Sequence, residues 1–184
     1  MRVWIIRAAV GLLGVAVLVG CLARPTAPGT LVTVTRAQLD TALAAALAQG
    51  AEVDFPEKTR FTALRFDHGA GLGITGRARF FDPATGGYPP PDIAFFGTVP
   101  PGYWAIDNGA LNLRLVLIDG AAPLPGGLSP DSAAADRVRD SLSTSVGDMM
   151  GRMSFPTGLD PRRRWMIGSV EITPTALRFE LRPR

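Results

Sequence analysis

Few side chains in this 184-residue chain are equipped for catalysis. His68 is the only histidine and Cys21 the only cysteine, so a Ser-His-Asp or Cys-His arrangement would have to be built around His68. His68 lies beside Asp67 in the glycine-rich turn His68-Gly69-Ala70-Gly71, which reads as an exposed turn. Gly71-x-Gly73-x-x-Gly76 has the spacing of a phosphate loop but falls inside a stretch of strand periodicity and opens no helix, so it carries no nucleotide role. One cysteine excludes a disulfide framework and a thiolate zinc site, and no calcium loop of the Asp-x-Asp-x-Asp-Gly kind is present. The expectation is a protein that is not an enzyme and uses neither metal nor cofactor. Two clusters remain. Arg162-Arg163-Arg164 beside Trp165 suits anionic headgroups with the indole at the interface, or else a solvated loop with Trp165 turned inward. Met149, Met150 and Met153 suit a pliable lipid-contacting wall, or plain core at helical spacing.

The chemistry of Cys21 depends on what precedes it. Arg2 and Arg7 give a positive start, and the apolar run from Ala8 to Val19 follows. Twelve residues rise only ~18 Å as a helix against a hydrocarbon core of ~30 Å, so residues 1–20 read as a signal peptide and not as a membrane span. Leu18-Val19-Gly20-Cys21 resembles the lipobox of bacterial lipoproteins, in which the chain is cut before the cysteine, the thiol takes a diacylglycerol and the new amine is acylated. The resemblance implies lipidation at Cys21, with a tether over residues 21–30 that holds Pro25, Pro28 and Gly29. Leu22, where inner-membrane lipoproteins of enteric bacteria carry Asp, is similar to the outer-membrane class that faces the periplasm. Loss of residues 1–20 removes Arg2 and Arg7, leaving 17 basic against 16 acidic side chains. Lys58 is the only lysine and the arginines are scattered, so nucleic acid is not expected as a partner.

Residues 31–184 read as a single α+β domain. A brief strand over residues 31–34 leads to Thr35, a helix N-cap with Gln38 completing a capping box. Leu39, Ala42, Leu43, Ala46 and Leu47 form one apolar helix face, ended by Gly50. Between about Arg60 and Ile118 the period changes to two: Leu64 and Phe66, then Leu72, Ile74, Ala78 and Phe80 alternate with polar residues. The proline-rich stretch from Asp82 to Pro91 is a loop, and residues 93–99 a strand. Asn108-Gly109 marks a hairpin whose second strand, residues 110–119, sets Leu111, Leu113, Leu115 and Leu117 on one face. Ser129, Pro130 and Asp131 read as the start of a second helix, with Val138, Leu142, Val146, Met149 and Met153 along its apolar face. Residues 165–173 and the alternation Leu177, Phe179, Leu181 close the chain as two strands. This order predicts a strongly twisted antiparallel sheet wrapped around two amphipathic helices.

The lipobox at Cys21, the helix opening Val34-Thr35-Arg36-Ala37-Gln38-Leu39-Asp40, the hairpin Trp104-Ala105-Ile106-Asp107-Asn108-Gly109-Ala110-Leu111 leading to Val116-Leu117-Ile118-Asp119, and the closing Ile167-Gly168-Ser169-Val170-Glu171-Ile172 together resemble the YceB-like family of bacterial lipoproteins. That resemblance implies a fold like the tubular lipid-binding (TULIP, BPI-like) domains, where a groove between sheet and helix accepts acyl chains. It brings no catalytic residues. The leading expectation is an envelope lipoprotein, anchored to the outer membrane and facing the periplasm, that binds or carries a lipid or other acylated amphiphile. Its groove would be lined by Leu43, Leu47, Phe66, Ile74, Leu113, Leu115, Val138, Leu142, Met149, Met153 and Phe179, with headgroup contacts from Arg162, Arg163, Arg164 and Trp165. The alternative is a non-catalytic structural or adaptor lipoprotein with a filled core, whose loops, above all Asp82 to Gly102, dock an envelope protein partner. The membrane, a lipid ligand and an envelope protein are thus the expected partners.

Overall fold

The computed structural model describes residues 29–69 and 71–184. The expected signal, Cys21 and most of the tether lie outside the described residues. Eleven strands and two α-helices make a mixed α+β fold of antiparallel sheets. In chain order they are β1 (Thr30–Thr35), α1 (Arg36–Gln49), β2 (Glu52–Val53), β3 (Thr59–Asp67), β4 (Gly73–Phe80), β5 (Ile93–Thr98), β6 (Trp104–Asp107), β7 (Ala110–Leu113), β8 (Leu117–Ala122), α2 (Ala133–Gly151), β9 (Phe155–Pro156), β10 (Trp165–Ile172) and β11 (Ala176–Pro183).

The strands form three sheets where the sequence predicts one: β1-β11-β10, β2-β3-β4-β5-β8, and β6-β7-β9. The cause lies at residues 114–116. The expected strand over residues 110–119 leaves its sheet after Leu113, where the Arg114 N–H turns to the Tyr103 carbonyl (2.9 Å), and joins another sheet at Leu117. Parity slips with it: Val116 and Ile118 are buried, Leu115 is half-buried and Leu117 is exposed. A slip of one residue in a strand exchanges its two faces, so the run of alternate leucines does not stay on one side.

Both helices follow from local chemistry. Thr35 Oγ1 accepts from the Gln38 N–H (3.2 Å) and the Gln38 side chain accepts from the Thr35 N–H (2.8 Å), the reciprocal box that satisfies two orphan donors. Leu39, Leu43 and Ala46 are buried at helical spacing, while Ala42 and Leu47 lie on the margin. The second helix starts later than expected. Ser129 to Ser132 are spent in a turn closed by Ser132 N–H to the Ser129 carbonyl, and Ser132 caps through the Ala135 N–H (3.2 Å). The hairpin holds as expected: Asn108 (φ 48°) and Gly109 (φ 75°) both lie in the left-handed region that a type I′ turn requires.

One continuous hydrophobic core joins both helices to all three sheets. Arg152 after α2 clamps it from one end, donating to the carbonyls of Gly50 (2.7 Å) and Glu52 (2.8 Å). No helix among the described residues is long and apolar enough to cross a membrane.

Candidate functional site

The residues expected to line a groove are brought together, and they fill it. Leu43, Phe66, Ile74, Leu113, Leu142, Met149, Met153 and Phe179 share the core, each no more than 5% exposed. Trp104 packs its ring on Phe179 (5.0 Å between centroids) and Phe155 (5.9 Å), closing the space between β6, β9 and β11. Leu47 and Val138 sit half-buried at the edge of this cluster. Leu115 is outside it and borders a surface cavity of about 540 Å³ beside Asp148 and Phe55. The methionines are plain core: Met149 and Met150 are fully enclosed.

Arg162, Arg163 and Arg164 are exposed in the turn before β10. Asp160 shapes that turn: it accepts from the Arg162 N–H (2.9 Å), its carbonyl accepts from the Trp165 indole N–H (3.2 Å), and its carboxylate lies 3.9 Å from Arg163. Trp165 is half-buried, with its inner side on the core. The arginines are therefore solvated and the indole partly turned inward.

His68 is tied into the fold. Its Nε2 lies 2.9 Å from both carboxylate oxygens of Asp40 and its ring stacks on Phe66, so it latches α1 onto the turn between β3 and β4. Gly71 to Gly76 lead into and through β4 as the strand reading requires. A Cβ at Gly76 would overlap the Phe95 ring and the Ala63 carbonyl, so this glycine allows close packing. Arg36 is 8% exposed, and its Nη2 donates to the Gly69 (3.1 Å) and Thr173 (2.8 Å) carbonyls, joining two turns to the start of α1. Among the described residues no three of His, Cys, Asp and Glu gather in a metal-binding group.

An apolar opening lies elsewhere, at one end of the five-stranded sheet. The pairing Ala78↔Ile93 and Ala94↔Ala122 brings the end of β4, the start of β5 and the end of β8 together. Their loops, Asp82 to Pro91 and Pro123 to Gly127, face each other across a cleft of about 610 Å³ lined by Phe80, Phe81, Ile93, Leu124 and the prolines of both loops. Proline fixes φ near −65°, which narrows the conformations these walls can take.

A polar and aromatic network pins the first loop to the sheet. Arg79 pairs with Asp92 and donates to the Tyr88 carbonyl (3.4 Å), while Thr62 donates to Asp92 (2.7 Å). The Tyr88 hydroxyl donates to Glu52 (3.0 Å), Arg60 lies 4.2 Å over the Tyr88 ring, and Phe81 meets Tyr88 edge-on at 5.5 Å. Hydrogen bonds from Arg60 and then Tyr88 hold the Glu52 carboxyl below its usual range, and those from Thr62 and Arg79 do the same for Asp92. Burial, followed by the bond to Glu52, pushes the Tyr88 hydroxyl up. The loop is therefore ordered before anything binds.

No family model, no curated protein and no solved structure matches the chain, so the described residues carry the functional reading alone. Sequence reasoning marked the loop from Asp82 onward but missed Phe81, Tyr88 and Leu124 as its partners. Clustered prolines at 83, 89, 90, 91, 123 and 125 were the available signal.

Proposed function

We propose that the chain is a non-catalytic envelope lipoprotein, held on the outer membrane through acylated Cys21 and facing the periplasm, that acts as an adaptor. Its occupant is an envelope protein, which inserts bulky apolar side chains into the cleft between Asp82 to Pro91 and Pro123 to Gly127. The observation that carries this reading is the filled interior. A lipid carrier needs an apolar volume that the described core gives to Leu142, Phe179 and their neighbours. On this reading the domain is TULIP-like, with the space between α1, α2 and β7 taken up by its own side chains and only a surface groove of about 400 Å³ left between β1, α1 and β9, in keeping with the resemblance to the YceB-like family. The cleft suits a protein partner because its walls are short, apolar and already ordered, so a side chain docking there immobilises little chain.

A fluorescent fatty acid and a photo-crosslinking residue at Phe81 separate the readings. The adaptor reading predicts no saturable fatty-acid uptake, and in cells one discrete protein adduct that disappears when Leu124→Glu charges the cleft. Saturable uptake by the purified protein, with no adduct at Phe81, would overturn it.

A further inference from the structure

The strand register fixes at which end of the domain the tether enters. The tether enters at Thr30, which pairs with Leu181, which in turn pairs with Ile167. Since β1 and β11 are antiparallel, β1 begins at the end of the sheet where β11 finishes in Arg182 and Pro183. On the neighbouring strand the same end carries Trp165 and Met166, opposite Pro183 and Arg182, and the Arg184 N–H is bonded to the Arg164 carbonyl (2.9 Å). Eight residues, 22–29, separate the cysteine from β1. Their full reach is about 28 Å. A folded unit of this length is about 40 Å across, from a radius of gyration of about 15 Å. On the anchor proposed above, a leash shorter than the domain is wide keeps the Thr30 end the nearer one to the bilayer.

That end is chemically unlike the rest of the surface. A cavity of about 300 Å³ is lined by Arg163, Arg164, Arg184 and Trp165, with Asp107 at its hairpin side. Trp165 also borders a second cavity of about 580 Å³, where β10 and β6 leave a seam floored by Trp104, Ile106 and Ile167. Asp160 engages Arg163 only at 3.9 Å, and Glu180 is taken by Arg182 (2.8 Å). Among the described residues Arg162 and Arg164 form no ion pair. Exposed Met166 and Leu31 flank this end with apolar surface.

The geometry points to a docking face for anionic phospholipid: the tether end sits on the bilayer that holds Cys21, with a lipid phosphate between Arg163, Arg164 and Arg184, and Trp165 at the interface. This deepens the proposed function and rests on the anchor proposed there. Guanidinium groups suit the site because they bind phosphate oxygens in pairs and shed water more readily than ammonium. Interfacial tryptophan supplies the apolar and polar halves that the headgroup region demands.

The test uses the mature protein in vesicles whose acyl chains are brominated, made of phosphatidylcholine alone or mixed with phosphatidylglycerol. After loss of residues 1–20 only Trp104 and Trp165 remain, and Trp104 is 6% exposed, so it serves as the protected reference. The expected result is quenching of the Trp165 emission in the phosphatidylglycerol vesicles, most of it lost on adding salt, in phosphatidylcholine alone, or in R162Q/R163Q/R164Q. Emission that is unquenched, or quenched equally in both compositions, overturns the face. Mass measurement of the N-terminal peptide reads the anchor separately. An unacylated Cys21 with salt-sensitive Trp165 quenching sinks the anchor and keeps the face; an acylated Cys21 with unquenched Trp165 does the reverse.

Discussion

The space between α1, α2 and β7 and the cleft beneath Phe81 and Leu124 are both lined by apolar side chains, yet one is full and the other open. In the first, side chains from both helices and all three sheets converge, and flexible leucines and methionines take up the remaining volume. In the second, the walls are largely prolines, and the first of the two loops is pinned by Arg79, Tyr88 and Asp92. Hydrophobicity alone does not make a binding site. An apolar volume stays open where few side chains converge to fill it.

The comparison can be broken most easily at its closed side. Leu142→Ala should cost about 2–5 kcal/mol in chemical denaturation, the range for a truncated leucine in a site that cannot relax. A loss below about 1 kcal/mol would mean the interior was not packed. At the open side Leu124, 8% exposed and lining the cleft, lies outside the main core cluster. Its truncation to Ala should cost about 1–2 kcal/mol, less than at Leu142, because fewer contacts are forfeited; equal losses would erase the distinction between the regions.

Gly109→Ala, in the hairpin far from the cleft, should cost about 1 kcal/mol in the same assay, because φ of 75° disfavours an L side chain and a Cβ would stand 3.0 Å from the Leu159 carbonyl. The smallest effect concerns acid. Glu52 and Asp92 have carboxyl pKa values lowered in the folded state, so their contribution is fully present above the unfolded values of 4.5 and 3.8 and is lost as pH falls through the folded ones. Denaturation midpoints should therefore fall between pH 5 and 3. Glu52→Gln with Asp92→Asn should flatten that decline, and an unchanged slope would show that the loop is pinned by something else.

Local features were legible in the chain because local chemistry decides them. The Thr35 and Gln38 capping box, the Asn108-Gly109 turn and the closing alternation of Leu177, Phe179 and Leu181 each depend on a few neighbouring residues. The break at residues 114–116 was hidden, since four alternate leucines mimic one long strand while the buried side passes to Val116 and Ile118. The sequence pattern places the start of α2 three residues early, at Ser129, because the turn from Ser129 to Ser132 uses that serine and leaves Ser132 as the cap. Eight of the candidate groove residues are buried in the core, Leu47 and Val138 lie at its edge and Leu115 outside it; periodicity reports which way a side chain points and not whether the space ahead of it is occupied. The cleft depended on β5 pairing with β8, a contact between distant segments that no local pattern encodes.

Native mass spectrometry of the mature protein, extracted from bacterial membranes in mild detergent, tests the central claim most directly. A filled interior predicts a single mass, that of the polypeptide with whatever is covalently attached to it, and no bound lipid besides. A noncovalent lipid retained at one per chain through activation in the gas phase, and retained equally in R162Q/R163Q/R164Q, would contradict it.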